Sequence, residues 1–472
     1  MRPVYNYATR EELDLIHRYS MKALEEVGVR FMCGDVIDIF KAHGFRTDGD
    51  KVFITEKDVW AALATAPKAF DWYGRKGRVT VGGGKTICAP AYGPIFILEG
   101  GAFHRSEKRD FLNFTKLHAS SKVLDVSNSN MMDFNFMPAE HASNWAMATT
   151  LMLDERPAIG MVDGRKNARD SIRMAQEFYG IDDKCVVTGL ISIASPCHYS
   201  QAMCEALIEY AGAGQGVFIT PSSLNGMTVP GSLASLLLVN NVETLSGIVL
   251  AQIIRPGTPV IYGNQSHGCD LRYGVPAIGS PEQCLIFAAV KSLGDYYGLP
   301  VRTGGSSCDA KQVDMQAGVE SFSTMFATLY SGADLMVHSC GSLDTDNTLS
   351  YDKFIYDEEV MLSVQRILRG FEVTEETLLY DCIREARPGG EFLTLSDDNM
   401  DACREGYKDD YITLKVPSRI AHPLWVERGE EPVTARIKQI CRQRLDGYTM
   451  PELEPERRAV LEKYVPADML DA

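Results

Sequence analysis

PVIYGNQSHGCD (residues 259–270), PVRTGGSSCDAKQVD (300–314) and ADLMVHSCGSLDTDNTLSYDKFIYDEE (333–359) repeat one pattern. In each, a short apolar run (259–262, 300–302 and 335–337) ends in a cluster of Gly, Ser, Asn, Cys or His, and a helix-length amphipathic segment follows. Short runs of this kind are what strands look like when a parallel sheet buries both of their faces. Ligands of such sheets sit beyond the carboxyl ends of the strands, so the polar clusters should hold the chemistry.

The same beat extends upstream. It predicts strands at 87–92, 123–127, 158–162, 186–193, 217–220, 260–262, 301–303 and 335–338. Helical patterns lie near 108–119, 139–154, 166–179, 200–212, 233–254, 281–296, 312–330 and 353–368. Eight strands, each followed by a helix, predict a TIM (β/α)8 barrel over residues 86–370, with a further strand at 95–98 inserted in the first unit. A doubly wound open sheet is the alternative, although no G-x-G-x-x-G follows a strand.

Before the barrel, residues 1–85 read as a small α+β extension. Thr9 and Glu12 form a capping box ahead of a helix over 9–27, and a second helix is predicted over 55–66. The Gly84-Lys85-Thr86 triplet is not a phosphate loop, because Val79 stands where that motif needs its first glycine. After about Phe371 the beat stops. Residues 371–472 read as a helical extension, interrupted by Pro417, Pro423, Pro432, Pro451 and Pro455 and expected to pack on the barrel or on a neighbouring subunit.

A net charge of −16 and the lack of a long basic run argue against nucleic acid as a partner. Twelve cysteines without a C-x-x-C pair, behind an N-terminus with no apolar signal core, predict reduced thiols in a cytoplasm. The most apolar segment, 233–254, is broken by Asn240, Asn241 and Glu243, which predicts a buried helix and no membrane span.

Several segments carry a family resemblance: VETLSGIVLAQIIRPGTPVIYG (242–263), GSPEQCLIFAAVKSLGDYYGLPVRTGG (279–305), DAKQVDMQAGVES (309–321), SYDKFIYDEEV (350–360), GPIFILEGGAFHRS (93–106) and EELDLIHRYSMKALEEVGV (11–29). Together they resemble the trimethylamine:corrinoid protein methyltransferase family. The resemblance implies a TIM barrel that moves a methyl group from an amine to the Co(I) of a corrinoid (cobalamin) carried by a separate protein, in an anaerobic cytoplasm and as a homo-oligomer. Founding members carry pyrrolysine in the barrel cavity, near the loop that corresponds to Thr303 to Lys311. This chain has only standard residues there. That departure implies the branch acting on quaternary amines such as glycine betaine, proline betaine, carnitine or γ-butyrobetaine, whose nitrogen already bears full charge and leaves as a neutral amine.

For such a reaction the protein must position and desolvate the donor, and it need not supply an acid or base. Aromatic faces hold a permanent cation at about 0.5 to 2 kcal/mol per ring. Tyr92, at a strand exit beside Gly93, is the first candidate, with Tyr262 and Phe354 behind it. His338, ending the eighth strand, is the candidate catalytic residue, placed to bond a substrate carboxylate or line the path of the corrin ring. Asn128, Asn130, Asn264 and Gln265 offer amides at strand ends. Arg272 and Arg302 are the nearest cations for a carboxylate, but Arg302 falls inside a strand, where a structural ion pair competes. Two alternatives stand beside this: a zinc-dependent thiol or corrinoid methyltransferase using His267, Cys269 and Cys340, with Cys308 nearby, and a barrel that binds a betaine or scaffolds a corrinoid protein without catalysis.

Overall fold

The computed structural model describes residues 7–390, 397–401, 403–404 and 410–470. Eight parallel strands form its centre: β1 (Ile87–Cys88), β2 (Ser127–Asn128), β3 (Ala158–Ile159), β4 (Val187–Ile193), β5 (Gly216–Pro221), β6 (Val260–Gly263), β7 (Val301–Arg302) and β8 (Leu335–Met336). Each is followed by a long helix: α1 (Lys108–Ala119), α2 (Ala139–Leu153), α3 (Gly164–Tyr179), α4 (Gln201–Gly212), α5 (Leu233–Ile254), α6 (Pro281–Tyr297), α7 (Met315–Ser331) and α8 (Tyr351–Arg369). The sheet order is β1-β8-β7-β6-β5-β4-β3-β2, without the reversal that a doubly wound sheet requires. The ends meet where the Asp125 N–H donates to the Cys88 carbonyl at 2.8 Å and Asn128 Nδ2 to the Ala91 carbonyl at 2.6 Å. The architecture is a TIM barrel.

Most strands are shorter than their apolar runs, for local reasons. Pro90 has no N–H to continue β1. Ser121 Oγ accepts from the amides of Val123 and Leu124, which holds that stretch in a turn ahead of β2. Gly304, at φ +75°, ends β7, and a Cβ built there would lie 1.8 Å from Thr328 Oγ1, so glycine is required.

The side chains of the strands divide into two cores. Ile87, Ile159, Leu190, Phe218, Ile261, Leu335 and Val337 form one inside the barrel, closed from below by Trp72 and Val81 of the hairpin Phe70–Tyr73/Arg78–Val81. Cys88, Ala158, Val187, Ile191, Ile219, Val260, Tyr262, Val301 and Met336 belong to the larger core between strands and helices. Membership alternates along each strand, as a pleat demands.

The N-terminal helix Arg10–Glu26 carries the Thr9/Glu12 capping box. The sheet behind it joins Val29–Phe31 to His198–Tyr199 from the loop after β4, which ties this segment to the barrel. The inserted strand appears as the hairpin Phe96–Glu99/Ala102–Arg105. It pairs with the hairpin Ser342–Leu343/Thr348–Ser350 from the loop after β8. Helix α5 is long and apolar enough to cross a membrane by length and composition, but 72% of its apolar window is buried, against the N-terminal helix and strands β5 and β6. In the tail, Val433–Asp446 packs on α1 and α8 and Pro455–Glu462 on α3, whereas Val373, Leu378 and Tyr380 are exposed.

Candidate active site

At the carboxyl ends of the strands lies a cavity of about 400 Å³, within the roughly 300–1,000 Å³ usual for small-molecule sites. Every strand, or the loop that follows it, supplies part of the wall: Tyr92 after β1, Asn130 after β2, Asp163 after β3, Ser192 on β4, Thr220 on β5, Gln265 after β6, Arg302 on β7, and His338 with Asp346 after β8.

Arg302 is fully buried, and its position follows from the pleat: Val301 faces the helices, so its neighbour faces the cavity. Nη1 donates to the Asn264 carbonyl, while Nε and Nη2 are buried without a partner. Burial pushes the guanidinium down to about 10, opposed by the carboxylate of Asp346, so it remains a cation at neutral pH. Among the described residues no ion pair consumes it: Asp346, whose charge acts on it, accepts instead from Gln265 Nε2 at 3.3 Å, and its Oδ1 is buried without a hydrogen bond.

Alternation would turn His338 outward, because Leu335 and Val337 face inward. Its left-handed backbone, φ +57°, breaks the alternation, and the ring lines the cavity. Nδ1 is 3.4 Å from Ser342 Oγ and 3.6 Å from Asp346 Oδ1. Burial lowers the imidazole below its ordinary range; Asp346 opposes this and Arg302 adds to it, so the ring is neutral at neutral pH. Asp346 is delivered by the turn of the Ser342–Leu343/Thr348–Ser350 hairpin. Thr345 and Asp346 there have φ of +58° and +62°, and the Asn347 N–H closes on the Asp344 carbonyl at 3.1 Å. Positive φ at both central residues is the geometry that hairpin turns favour, though a β-branched Thr is an unusual occupant.

On the neighbouring wall Tyr92 lies beyond the end of β1, the strand that pairs with β8. Its phenol is held well above the ordinary range by burial and by the charge of Asp163, so it stays protonated. Asp163 itself is exposed, and the cavity therefore opens to solvent beside it.

Four of the predicted site residues line this cavity: Tyr92, Asn130, Gln265 and His338. The other four lie behind its wall. Asn128 is bound to the Ala91 carbonyl and accepts from the Asn130 N–H at 2.9 Å. Tyr262 points into the helix layer, donates to Asn241 Oδ1 at 2.9 Å and stacks on Tyr297. Asn264 accepts from the Ser266 N–H through its side chain and from Arg302 through its carbonyl. Phe354 packs among Phe114, His118 and Arg444. Asp163 and Asp346 were not among the predicted residues. Asp163 could have been found as the first polar residue after an apolar run, whereas nothing local singles out Asp346.

His267, Cys269, Cys308 and Cys340 form, among the described residues, no group of three whose ligand atoms meet within 4.8 Å, so the arrangement does not support the zinc alternative. Among the described residues the one group of three that meets within 4.8 Å is Glu99, His104 and Asp110, where Arg109 Nη2 already binds Glu99 at 2.6 Å. Cys269 lies against Met227 Sδ, and His267 is buried, pushed down to about 4 by burial.

The sequence profile of the trimethylamine methyltransferase (MTTB) family matches residues 1–468. The chain is 34% identical over 470 residues to the glycine betaine methyltransferase of Desulfitobacterium hafniense (strain Y51), spanning 98% of this chain and 97% of that protein. It is 32% identical over 480 residues to the proline betaine:corrinoid methyltransferase of Eubacterium limosum, again spanning 98% and 97%. Among solved structures, the monomethylamine methyltransferase of Methanosarcina barkeri matches with a TM-score of 0.55 over 87% of this chain and 90% of that one. At 12% identity this is a likeness of fold.

Proposed function

Because the chain belongs to the trimethylamine methyltransferase family, we propose that it moves a methyl group from a small quaternary amine bearing a carboxylate to a corrinoid carried by a partner protein. The observation that carries this reading is Arg302, a cation fully buried in the cavity wall with Nε and Nη2 unpaired. Two adjacent guanidinium donors match the two oxygens of a carboxylate. An unpaired buried guanidinium is costly, so a site that keeps one is built for an anion. Neutral His338 beside it adds a ring N–H or lone pair without adding charge. The names of the relatives, two of them methyltransferases of betaines, support the same substrate class.

The residues at hand fit a transfer that needs no proton. His338 is held neutral and the Tyr92 phenol protonated, both by burial first. A corrinoid presented at the open mouth would supply the strong cobalt nucleophile. The chain's part is to hold the donor by its carboxylate, exclude water from the deep end and leave the methyl groups toward the opening. Unpaired cysteines, including the buried Cys88, Cys308 and Cys340, agree with a reducing cytoplasm.

Calorimetric titration with glycine betaine, proline betaine, carnitine and choline tests this. The carboxylated ligands should bind and choline, which lacks the carboxylate, should not. Arg302→Gln should cost about 1.5–3 kcal/mol of that binding, on the order of 10- to 100-fold. Mixing enzyme, bound ligand and a reduced corrinoid protein should then shift the cobalt absorption. Choline binding as tightly as the betaines, or efficient demethylation of trimethylamine, would defeat the proposal.

A further inference from the structure

We infer that Asp163 is the residue that selects for a positively charged head on the donor, by placing an unneutralised carboxylate at the cavity mouth opposite Arg302. The inference rests on the substrate reading above and gives that substrate an orientation.

Asp163 stands immediately before α3, where an aspartate ordinarily caps the helix by accepting from its first amides. It makes no such bond. Its backbone, φ −78° and ψ 69°, with the Gly164 N–H donating to the Val162 carbonyl at 2.9 Å, is an inverse γ-turn. The end of α3 is served from outside: Glu205 of α4 accepts from the Arg165 N–H at 3.1 Å. The cations nearby are also taken, Arg165 by Asp35 and Glu209, and Arg169 by Glu209. Among the described residues the Asp163 side chain therefore has neither a hydrogen bond nor an ion pair, although it lines the cavity.

Its place in the barrel gives that free charge a direction. In a ring of eight strands the exit of β3 faces the exit of β7, and β7 carries Arg302. Arg302 is fully buried and Asp163 is exposed, so the cation lies deep and the anion at the rim. A zwitterion aligned with this pair puts its carboxylate inward and its ammonium outward. That is the arrangement in which the N-methyl groups face an acceptor arriving from solvent. Tyr92 lines the same cavity, packed against the inner core and near enough to feel the charge of Asp163, and its ring offers the ammonium an aromatic face. Asp346, the other acid in the wall, accepts from Gln265 through one oxygen and keeps Oδ1 without a hydrogen bond, but it lies beside Arg302 and His338 at the deep end, so Asp163 is the acid at the rim.

The test compares two ligands that differ in charge and little in shape: glycine betaine, and the dimethylbutyrate whose tert-butyl head replaces trimethylammonium with a quaternary carbon. Wild-type protein should bind glycine betaine more tightly. In Asp163→Asn, an isosteric change compatible with the turn, that preference should shrink roughly three- to tenfold at low ionic strength, as for a partly solvated charge pair. Affinity for the uncharged-head ligand should hold or rise. A ratio of affinities does not move with general damage to the fold, so a preference unchanged in Asp163→Asn overturns the role of Asp163 alone. If wild-type protein binds neither ligand, the carboxylate reading of Arg302 fails and this inference fails with it.

Discussion

Tyr262 and Arg302 sit on adjacent strands, both fully buried, yet one faces the helices and the other the cavity. The difference is one step of the pleat, since Ile261 and Arg302 point inward while Tyr262 and Val301 point outward. Substitutions should separate accordingly. Tyr92→Ala is expected to weaken binding of a quaternary ammonium ligand by about 0.5–2 kcal/mol, the worth of one aromatic face. Tyr262→Phe should leave that affinity alone and cost about 1 kcal/mol of stability through the lost bond to Asn241. Isothermal titration and urea denaturation of both variants check the pair, and a Tyr262→Phe protein with impaired binding would contradict the assignment of faces. His338 teaches the complementary lesson: one left-handed backbone angle returns to the cavity a ring that alternation would have sent outward.

At the level of elements, the loops after β7 and β8 are held together by a salt bridge buried on α8. Lys353 Nζ lies 2.7 Å from Asp357 Oδ2, both side chains fully buried, and the same carboxylate oxygen accepts from the Gly341 N–H at 2.7 Å. Lys353 also reaches the Ser306 carbonyl at 3.5 Å. Burial raises the Asp357 carboxyl above its ordinary range, and Lys353 opposes that rise. Lys353→Met leaves the carboxylate buried and unpaired and should cost about 3–5 kcal/mol, read as a lower urea midpoint. Adding Asp357→Asn should restore most of it, because the amide oxygen still accepts from Gly341 and no charge remains buried. The bland part of this region was readable in advance, since residues 353–368 have helical periodicity. The hairpin that carries Asp346 was not. Its residues 342–350 contain no turn dipeptide of the favoured kind, and its strands are stabilised by pairing with Phe96–Glu99, about 250 residues away in sequence.

Over the whole molecule, α5 contributes an acid that couples stability to pH. Glu243 is fully buried and raised to about 7, chiefly by burial, while the Cys197 N–H at 2.5 Å and Ser195 Oγ at 2.8 Å hold it lower than burial alone would. The folded chain therefore keeps a proton that the unfolded chain loses near 4.5. The stability this provides is fully present below about pH 4.5 and is lost as pH rises toward 7, a change of about 3 kcal/mol for the single group. Glu243→Gln removes the titration. The difference in unfolding free energy between wild type and variant should follow that slope between pH 5 and 7 and be flat above 8. A difference that does not vary with pH would show that the carboxyl is not proton-linked to folding.

The order of eight strand-then-helix units, the barrel they close, the capping box at Thr9 and the burial of α5 could all be read from residues alone. Each follows from local periodicity, caps and breakers that neighbours in sequence impose on one another. Which side chains meet in the cavity was decided only by the tertiary structure. Strands buried on both faces are apolar on both, so their pattern carries no mark of inside and outside, and Tyr262 and Arg302 could not be sorted in advance. Asp163 became available through a cap supplied by another helix, and Asp346 arrived on a hairpin that pairs across most of the chain. Contacts at that sequence distance exist only once the barrel has closed, which is why the fold was legible and half of its site was not.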